Sequence, residues 1–496
     1  MNVKGIEMKK QKSLTVNVIM NTLLSMSAFI FPLITFPYVS RVLLNVGTGK
    51  VSFANGIIAY FALFAQLGIP TYGIRACAKV RDDKEKLTKV VQELLIINTA
   101  ISILVYIVFL VALFTVPKMR NDSTLFLITS STIFFNVIGV EWMYKGLEQY
   151  TYITVRSIIF KFIGVILMFI LVKDQTDYVC YGFITIFAAS ASNIFNIINL
   201  HKYISLKPVG NYDFKQHLKA VVVFFAMSCA TTIYTNLDTV MIGFIKGAGE
   251  NGYYNAAIRI KSILVSIVTS LGAVLLPRAS YYLGNNLIGE FKKISAKAIN
   301  FVFIIAIPML VYFMLFANES IHFLAGDAFD NSILPMQIIM PTLLFIGLTN
   351  IMGIQMLVPL GREKCVLYSE IAGAITDLVL NAILIPFIGA AGAAIGTVAA
   401  EAVVMVVQYI YLKDEVKPIF VEIRYGLIAI ATIMSAGVAL LTKMLSWHPF
   451  FILVVSAIIF FGIYALVLTV GREPLVLELE DKFLGRFLKK WKTKKD

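Results

Sequence analysis

The chain has 496 residues, of which 59% are hydrophobic and 15% charged, with a mean hydropathy of +0.83. A soluble globular protein carries ~45–50% apolar and ~25% charged residues, so that class is excluded. The net charge of +14 would suit a nucleic-acid surface, but the placement of the cations, set out below, argues against one. Four cysteines, Cys77, Cys180, Cys229 and Cys365, form no CxxC pair and are too few for a disulfide framework. His201, His217, His322 and His448 show no metal-ligand spacing, so neither a metal nor a cofactor is expected.

From the N-terminus, Lys4, Lys9, Lys10 and Lys12 precede an apolar run over about 13–40. The run is too long for a signal-peptide core and no small-x-small cleavage site follows it, which predicts a retained helix. Polar breaks then recur every ~20–30 residues, the length a tilted helix needs to cross a bilayer. The fold class predicted is an all-α integral membrane protein with about fourteen transmembrane helices, at 13–40, 51–76, 90–116, 123–144, 152–172, 178–200, 218–245, 253–280, 297–317, 332–359, 364–388, 391–412, 422–442 and 449–470. The apolar runs are continuous rather than alternating, which excludes the short strands of a β-barrel. The tail from Leu475 to Trp491 places Leu484, Phe487, Leu488 and Trp491 on one helical face beside Arg486, Lys489 and Lys490, the pattern of an interfacial helix.

Orientation follows from the Lys and Arg. With the N-terminus in the cytoplasm, the outside segments hold only Arg41, Lys50, Lys118, Arg120, Lys173, Lys246 and Lys443 of the 43 cations. Arg259 and Lys261 lie within the eighth span, and the rest fall inside. Both termini are therefore expected in the cytoplasm, and the positive charge faces anionic lipid. No extramembrane piece is long enough to fold alone, so function is expected within the bundle.

A weak repeat gives the architecture. Gly49-Lys50-Val51-Ser52-Phe53-Ala54 and Gly252-Tyr253-Tyr254-Asn255-Ala256-Ala257 each join the first helix of a six-helix half to the second. An even number of helices keeps both halves in one orientation, so they should be related by a pseudo-twofold along the membrane normal. The expected domains are an N-lobe over 1–205, a C-lobe over 206–413, two further helices over 414–470, and a basic cytoplasmic tail over 471–496. The linker with Pro208, Gly210 and Asp213 joins the lobes.

Several stretches resemble a known family. They are Phe36-Pro37-Tyr38-Val39-Ser40-Arg41-Val42-Leu43, Ser52-Phe53-Ala54, Leu67-Gly68-Ile69-Pro70-Thr71-Tyr72-Gly73-Ile74-Arg75, Asn236-Leu237-Asp238, Gly252-Tyr253-Tyr254, and Ile385-Pro386-Phe387-Ile388-Gly389-Ala390-Ala391-Gly392-Ala393-Ala394 followed by Glu401. Together they look like the bacterial polysaccharide repeat-unit flippases of the multidrug/oligosaccharidyl-lipid/polysaccharide exporter superfamily. The resemblance implies a transporter, not an enzyme, that moves an undecaprenyl-diphosphate-linked oligosaccharide to the outer leaflet by alternating access. It also implies a polysaccharide polymerase and glycosyltransferases as partners in the same pathway, in O-antigen or capsule synthesis.

A diphosphate headgroup cannot cross hydrocarbon unaided, so buried cations are the first candidates. Arg259 lies one to two turns inside the eighth span, where it is either a phosphate ligand or a snorkelling or ion-paired structural arginine. Lys261 should point away from it. Arg41 and Arg75 end the first two helices, as substrate contacts or as helix-end anchors. Asp238 could pair with Arg259 or Arg41, and Tyr253 and Tyr254 could stack on a sugar or sit in the aromatic belt. Glu370 and Asp377, seven residues apart, and Glu401 are candidate coupling carboxylates for H⁺ or Na⁺; Glu141 and Glu401 are equally packing or hinge partners. Pro32, Pro37, Pro70, Pro308, Pro341 and Pro386 permit kinks without marking any one hinge.

Three alternatives remain open: a cation-coupled multidrug exporter, a peptidoglycan-precursor flippase, and a membrane glycan polymerase or transferase. The first would be expected to use acidic residues in the N-lobe cavity, and the first span has none. The last would need a sizeable catalytic loop, and the longest outer segment, 317–331, with Glu319, His322, Asp327 and Asp330, reads as a solvated turn.

Overall fold

The computed structural model describes residues 14–445 and 447–478; the interfacial helix expected at the end of the tail and the first lysines lie almost wholly outside them. Among the described residues every regular element is a helix. The long ones are α1 (Leu14–Gln66), α2 (Ile69–Lys79), α3 (Lys84–Thr115), α4 (Ser123–Gly139), α5 (Tyr150–Leu171), α6 (Tyr178–Ser190), α7 (Lys215–Ile245), α8 (Ala248–Gly284), α9 (Ile288–Leu315), α10 (Glu363–Tyr411), α11 (Tyr425–Leu440) and α12 (Pro449–Val470). Among the described residues, eight helices are long and apolar enough to cross a membrane, or ten if two bent pairs count as one span each. Two of the eight, Ile19–Lys79 and Glu363–Tyr411, each carry two of the predicted spans, because α1 is interrupted at Leu44 and α10 at Ile388 and Gly389. The described part of each of the fourteen predicted stretches is largely helical.

Local chemistry sets the ends. Asp83 begins α3 by accepting from the backbone N–H of Glu85 and Lys86, each at 3.1 Å. The Lys86 N–H, and then its ammonium, hold the Asp83 carboxyl below the ordinary range, so the cap persists at neutral pH and fails only in acid. Pro449 at the first position and the His448 ring, accepting from Phe450 N–H at 3.3 Å, start α12.

The chain divides into two compact units, 1–240 and 241–496. The first includes most of α7. Gly56 of α1 lies against Thr239 and Val240, and a Cβ at Gly68 would meet the backbone of Phe224 and Phe225. The Tyr60 hydroxyl reaches Ile233 O at 3.4 Å. These contacts tie α7 to the helices before it, whereas the repeat drew its line ahead of that helix; the six-helix lobes are a division by repetition, the compact units one by packing. Val51, Phe53, Ala54, Ile57, Phe109, Leu125 and Phe126 form one core of the first unit, with Phe53 and Phe126 edge to face at 6.0 Å.

In the second unit, Tyr312, Phe316, Ala439, Ile452 and Phe460 join α11 and α12 to α9. The Tyr312 hydroxyl donates to Leu453 O at 2.9 Å, and Tyr464 to Ile304 O at 2.9 Å, so the last two helices are integral to this unit. Residues 317–331 are not the solvated turn expected. Ala317–Leu324 is helical, and Glu319, 7% exposed, pairs with Lys443 at 3.3 Å, because a carboxylate packed beneath the α11–α12 connection requires a cation. Outward faces carry apolar side chains such as Ile103, Leu104, Ile107, Val111 and Phe114 on α3, as lipid contact demands.

Candidate functional site

In the second unit the polar residues at membrane depth converge where α8 meets α10. The break at Ile388 and Gly389 folds α10 back on itself, so that small residues of its second half lie against the first. A Cβ at Gly373 would collide with Val404, and one at Gly396 would stand 3.1 Å from Asp377 Oδ1 and against Asn381 Oδ1. The close approach buries a polar set: Asp377 is 2% exposed, Asn381 0%, Thr397 7% and Glu401 6%. Thr397 Oγ1 donates to Ala393 O at 3.0 Å, so the Tyr254 hydroxyl, 2.9 Å away, donates to Thr397. Nearby on α8, Asn255 donates to Asn251 Oδ1 at 2.9 Å. Carboxylate, amide and hydroxyl oxygens of this kind can hold a proton or a small cation. No group of three or more His, Cys, Asp or Glu with metal-binding geometry occurs among the described residues.

Asp377 and Glu401 therefore share this interior, and Glu370 does not. Glu370 is exposed, although it shares the azimuth of Asp377. The buried positions of α10 run Ser369, Gly373, Asp377, Asn381 and Ile385, a four-residue stripe that drifts ~40° per step around an ideal helix. Equal azimuth at different depths then meets different neighbours. Tyr254 is 2% exposed with its hydroxyl engaged, so in this conformation its ring is core rather than a platform for sugar. Tyr253 is half-buried and meets Phe329 edge to face at 6.2 Å. Arg259, one turn beyond this cluster on α8, and Lys261 are both half-buried.

The first unit holds the other candidates. Arg41 is exposed and donates to Pro37 O at 2.6 Å, in the manner of a helix-end anchor. Arg75 is exposed beside Tyr72. Asp238 is buried at 8% exposure and belongs to this unit, whereas Arg259 belongs to the second.

Sequence reading missed two cations. The charge pattern leaves Arg156 and Lys161 among the remaining inside cations, but both lie within α5. Arg156, 8% exposed, donates to Ser192 O at 2.6 Å and Asn193 Oδ1 at 3.0 Å, and Lys161 donates to Ser27 Oγ at 2.7 Å. Next to them is a cavity of about 130 Å³ lined by Gln66, Asn98, Asn136, Asn193, Trp142 and the Glu141–Lys145 pair at 2.9 Å. The available signal was position: Arg156 stands four residues inside a predicted span.

Comparison with known proteins bears on what such a bundle does. The family described as "Polysaccharide biosynthesis protein" matches residues 14–283, and the family described as "MatE" matches 224–383. A protein of Escherichia coli strain K12 described as "Putative O-antigen transporter" is 25% identical over 408 residues, 81% of this chain and 97% of the relative. Among solved structures, "Lipid II flippase MurJ, inward closed conformation" superposes with a TM-score of 0.70 at 15% identity, covering 93% of this chain and 100% of that one. An inward-facing multidrug-resistance MATE family transporter superposes with a TM-score of 0.60 at 14% identity, covering 82% and 99%. At these identities the structural likeness speaks for the fold.

Proposed function

The chain belongs to the polysaccharide biosynthesis protein family, and on that premise we propose that it is a flippase carrying lipid-linked oligosaccharide across the cell membrane. In this reading the substrate is a repeat unit on undecaprenyl diphosphate, moved from the inner to the outer leaflet by alternating access. The observation that carries it is the match to an O-antigen transporter along 97% of that relative's length, since a shared fold alone hosts several cargoes. The physical chemistry agrees: an anionic headgroup needs cations at membrane depth, and Arg259 is half-buried within an apolar helix. Arg41, Arg75, Asp238 and Tyr253 are secondary substrate contacts, and Asp377 and Glu401 the coupling carboxylates for H⁺ or Na⁺. Glycosyltransferases and a polysaccharide polymerase of the same pathway are its partners in this reading. Both termini face the cytoplasm.

Translocation and synthesis leave different traces. In cells lacking the protein the lipid-linked unit is assembled but stays in the inner leaflet, as read by protection of its sugars from an impermeant oxidant in spheroplasts. Absence of the assembled unit would place the protein among the transferases and overturn the reading.

A further inference from the structure

At the start of α3 the first unit closes a carboxylate away from solvent. Glu93 is 0% exposed, and its oxygens are surrounded by donors from the chain entering α7. Oε1 accepts from the Asp213 N–H at 2.7 Å. Oε2 accepts from the Gln216 amide at 3.0 Å and lies 2.8 Å from His217 Nε2. The Lys89 ammonium stands 4.0 Å away. His217 is itself 2% exposed, and its other ring nitrogen, Nδ1, is 2.7 Å from the hydroxyl of Tyr72 on α2. Tyr72 is half-buried and connects the chain to the surface beside Arg75. His217 is one of the four histidines whose sequence spacing suggests no shared site.

The donors fix the protonation logic. A carboxylate facing two N–H donors and an ammonium is an acceptor, so His217 Nε2 carries hydrogen. Nδ1 then has two states. As a lone pair it accepts from the Tyr72 O–H; as an N–H it donates to the same oxygen. A hydroxyl serves either way, so His217 can gain or lose a proton with every polar atom still bonded and no heavy atom displaced. Groups facing the site from each packed element are Glu93 and Lys89 on α3, Tyr72, Arg75 and Cys77 on α2, and Asp213 on the linker. When His217 is charged, its bond to Glu93 becomes charge-assisted on both sides and stronger. Every other donor to Glu93 except Lys89 comes from residues 213–216, so the added strength falls on the start of α7, the helix through which the chain passes into the second unit.

We propose that Glu93, His217 and Tyr72 form a proton-binding site, separate from the carboxylates of α10, whose occupancy sets how firmly the start of α7 is held and so couples a proton to transport. The coupling half rests on the flippase reading; the binding half does not. The test begins without substrate, on the full chain carrying ¹⁵N-labelled histidine in lipid nanodiscs. One imidazole signal, assigned by its loss in H217Q, moves between neutral and charged shifts as pH is varied from 5 to 9, with Nε2 protonated throughout. E93Q lowers the midpoint by removing the counter-ion, and Y72F shifts it while leaving the titration. A His217 signal that does not titrate, or one whose midpoint is the same in E93Q, overturns the site. Proteoliposomes loaded with lipid-linked oligosaccharide extracted from deletion cells then test coupling. One proton coupled at this site gives up to a ~tenfold accumulation ratio per pH unit imposed, beyond what the carboxylates of α10 contribute, and H217Q loses that factor whatever its residual rate. Full gradient dependence in H217Q overturns the coupling. If the unaltered protein moves no lipid under any gradient, the flippase reading fails while the titration still judges the site.

Discussion

Arg259 and Lys261 are two residues apart on α8 and equally half-buried, so exposure alone does not separate them; direction does, at ~200° around the helix. If Arg259 grips diphosphate in a partly dehydrated cavity, removing it forfeits charge-assisted bonds of ~1.5–3 kcal/mol, a ten- to hundredfold loss of binding. R259A is expected to abolish surface glycan at matched membrane abundance, R259K to recover part of it because charge survives without the bidentate fork, and K261A to be mild. Normal transport by R259A, or greater damage from K261A, would return Arg259 to a snorkelling role. A cation inside an apolar run was legible because the run itself advertises the cost of burying it. Arg156 and Lys161 were not, since a count of cations by side places them with the inside charges near the start of their span. Glu93 and His217 were hidden for another reason: their meaning lies in a contact across 124 residues of chain, which no local pattern encodes.

The helices themselves were legible, because apolar length and composition decide them in a bilayer. Their breaks were not. Leu44, Leu67 and Val140 adopt positive φ values of 54°, 45° and 40°, and none is a residue type that signals a turn; packing imposes the conformation. Of the prolines weighed as kinks, Pro308 sits inside an uninterrupted helix, whereas Pro386 precedes a true break. At that break Gly389 has φ 53° and ψ −127°, and the Glu250 carboxylate accepts from the following Ala390 N–H at 2.8 Å, capping the second half of α10. A Cβ at position 389 would meet that carboxylate. G389A therefore combines backbone strain with loss of the cap and is expected to cost ~1–3 kcal/mol. E250Q keeps an acceptor and should cost less. Thermal denaturation of the detergent-purified protein checks the order, and a G389A protein as stable as its parent would mean the turn rearranges freely.

At the scale of the whole chain, composition established the membrane class and the spacing of the continuous apolar runs the helical bundle, but sidedness is a separate matter. It rests on the clustering of Lys and Arg in alternate connections, with only seven, from Arg41 to Lys443, in those assigned outside. The structure sharpens the argument in two places. Lys50, assigned outside by the charge pattern, is paired with Asp122 at 2.7 Å and lies over the Tyr178 ring at 4.4 Å, and Lys443, assigned likewise, is paired with Glu319. Two of the seven cations assigned outside are thus neutralised by local carboxylates, which would reduce the charge opposing their translocation. The connection at 79–89 and the linker carrying Lys202 and Lys207 hold their cations mostly in exposed positions, where anionic headgroups can retain them. Single cysteines at Asn121 and Gly249 in a Cys-free background are therefore expected to react with an impermeant maleimide in intact cells, and those at Asp83 and Lys207 only after the membrane is opened. Labelling at 83 and 207 from outside would invert the topology, and with it the leaflet from which the lipid-linked substrate is drawn.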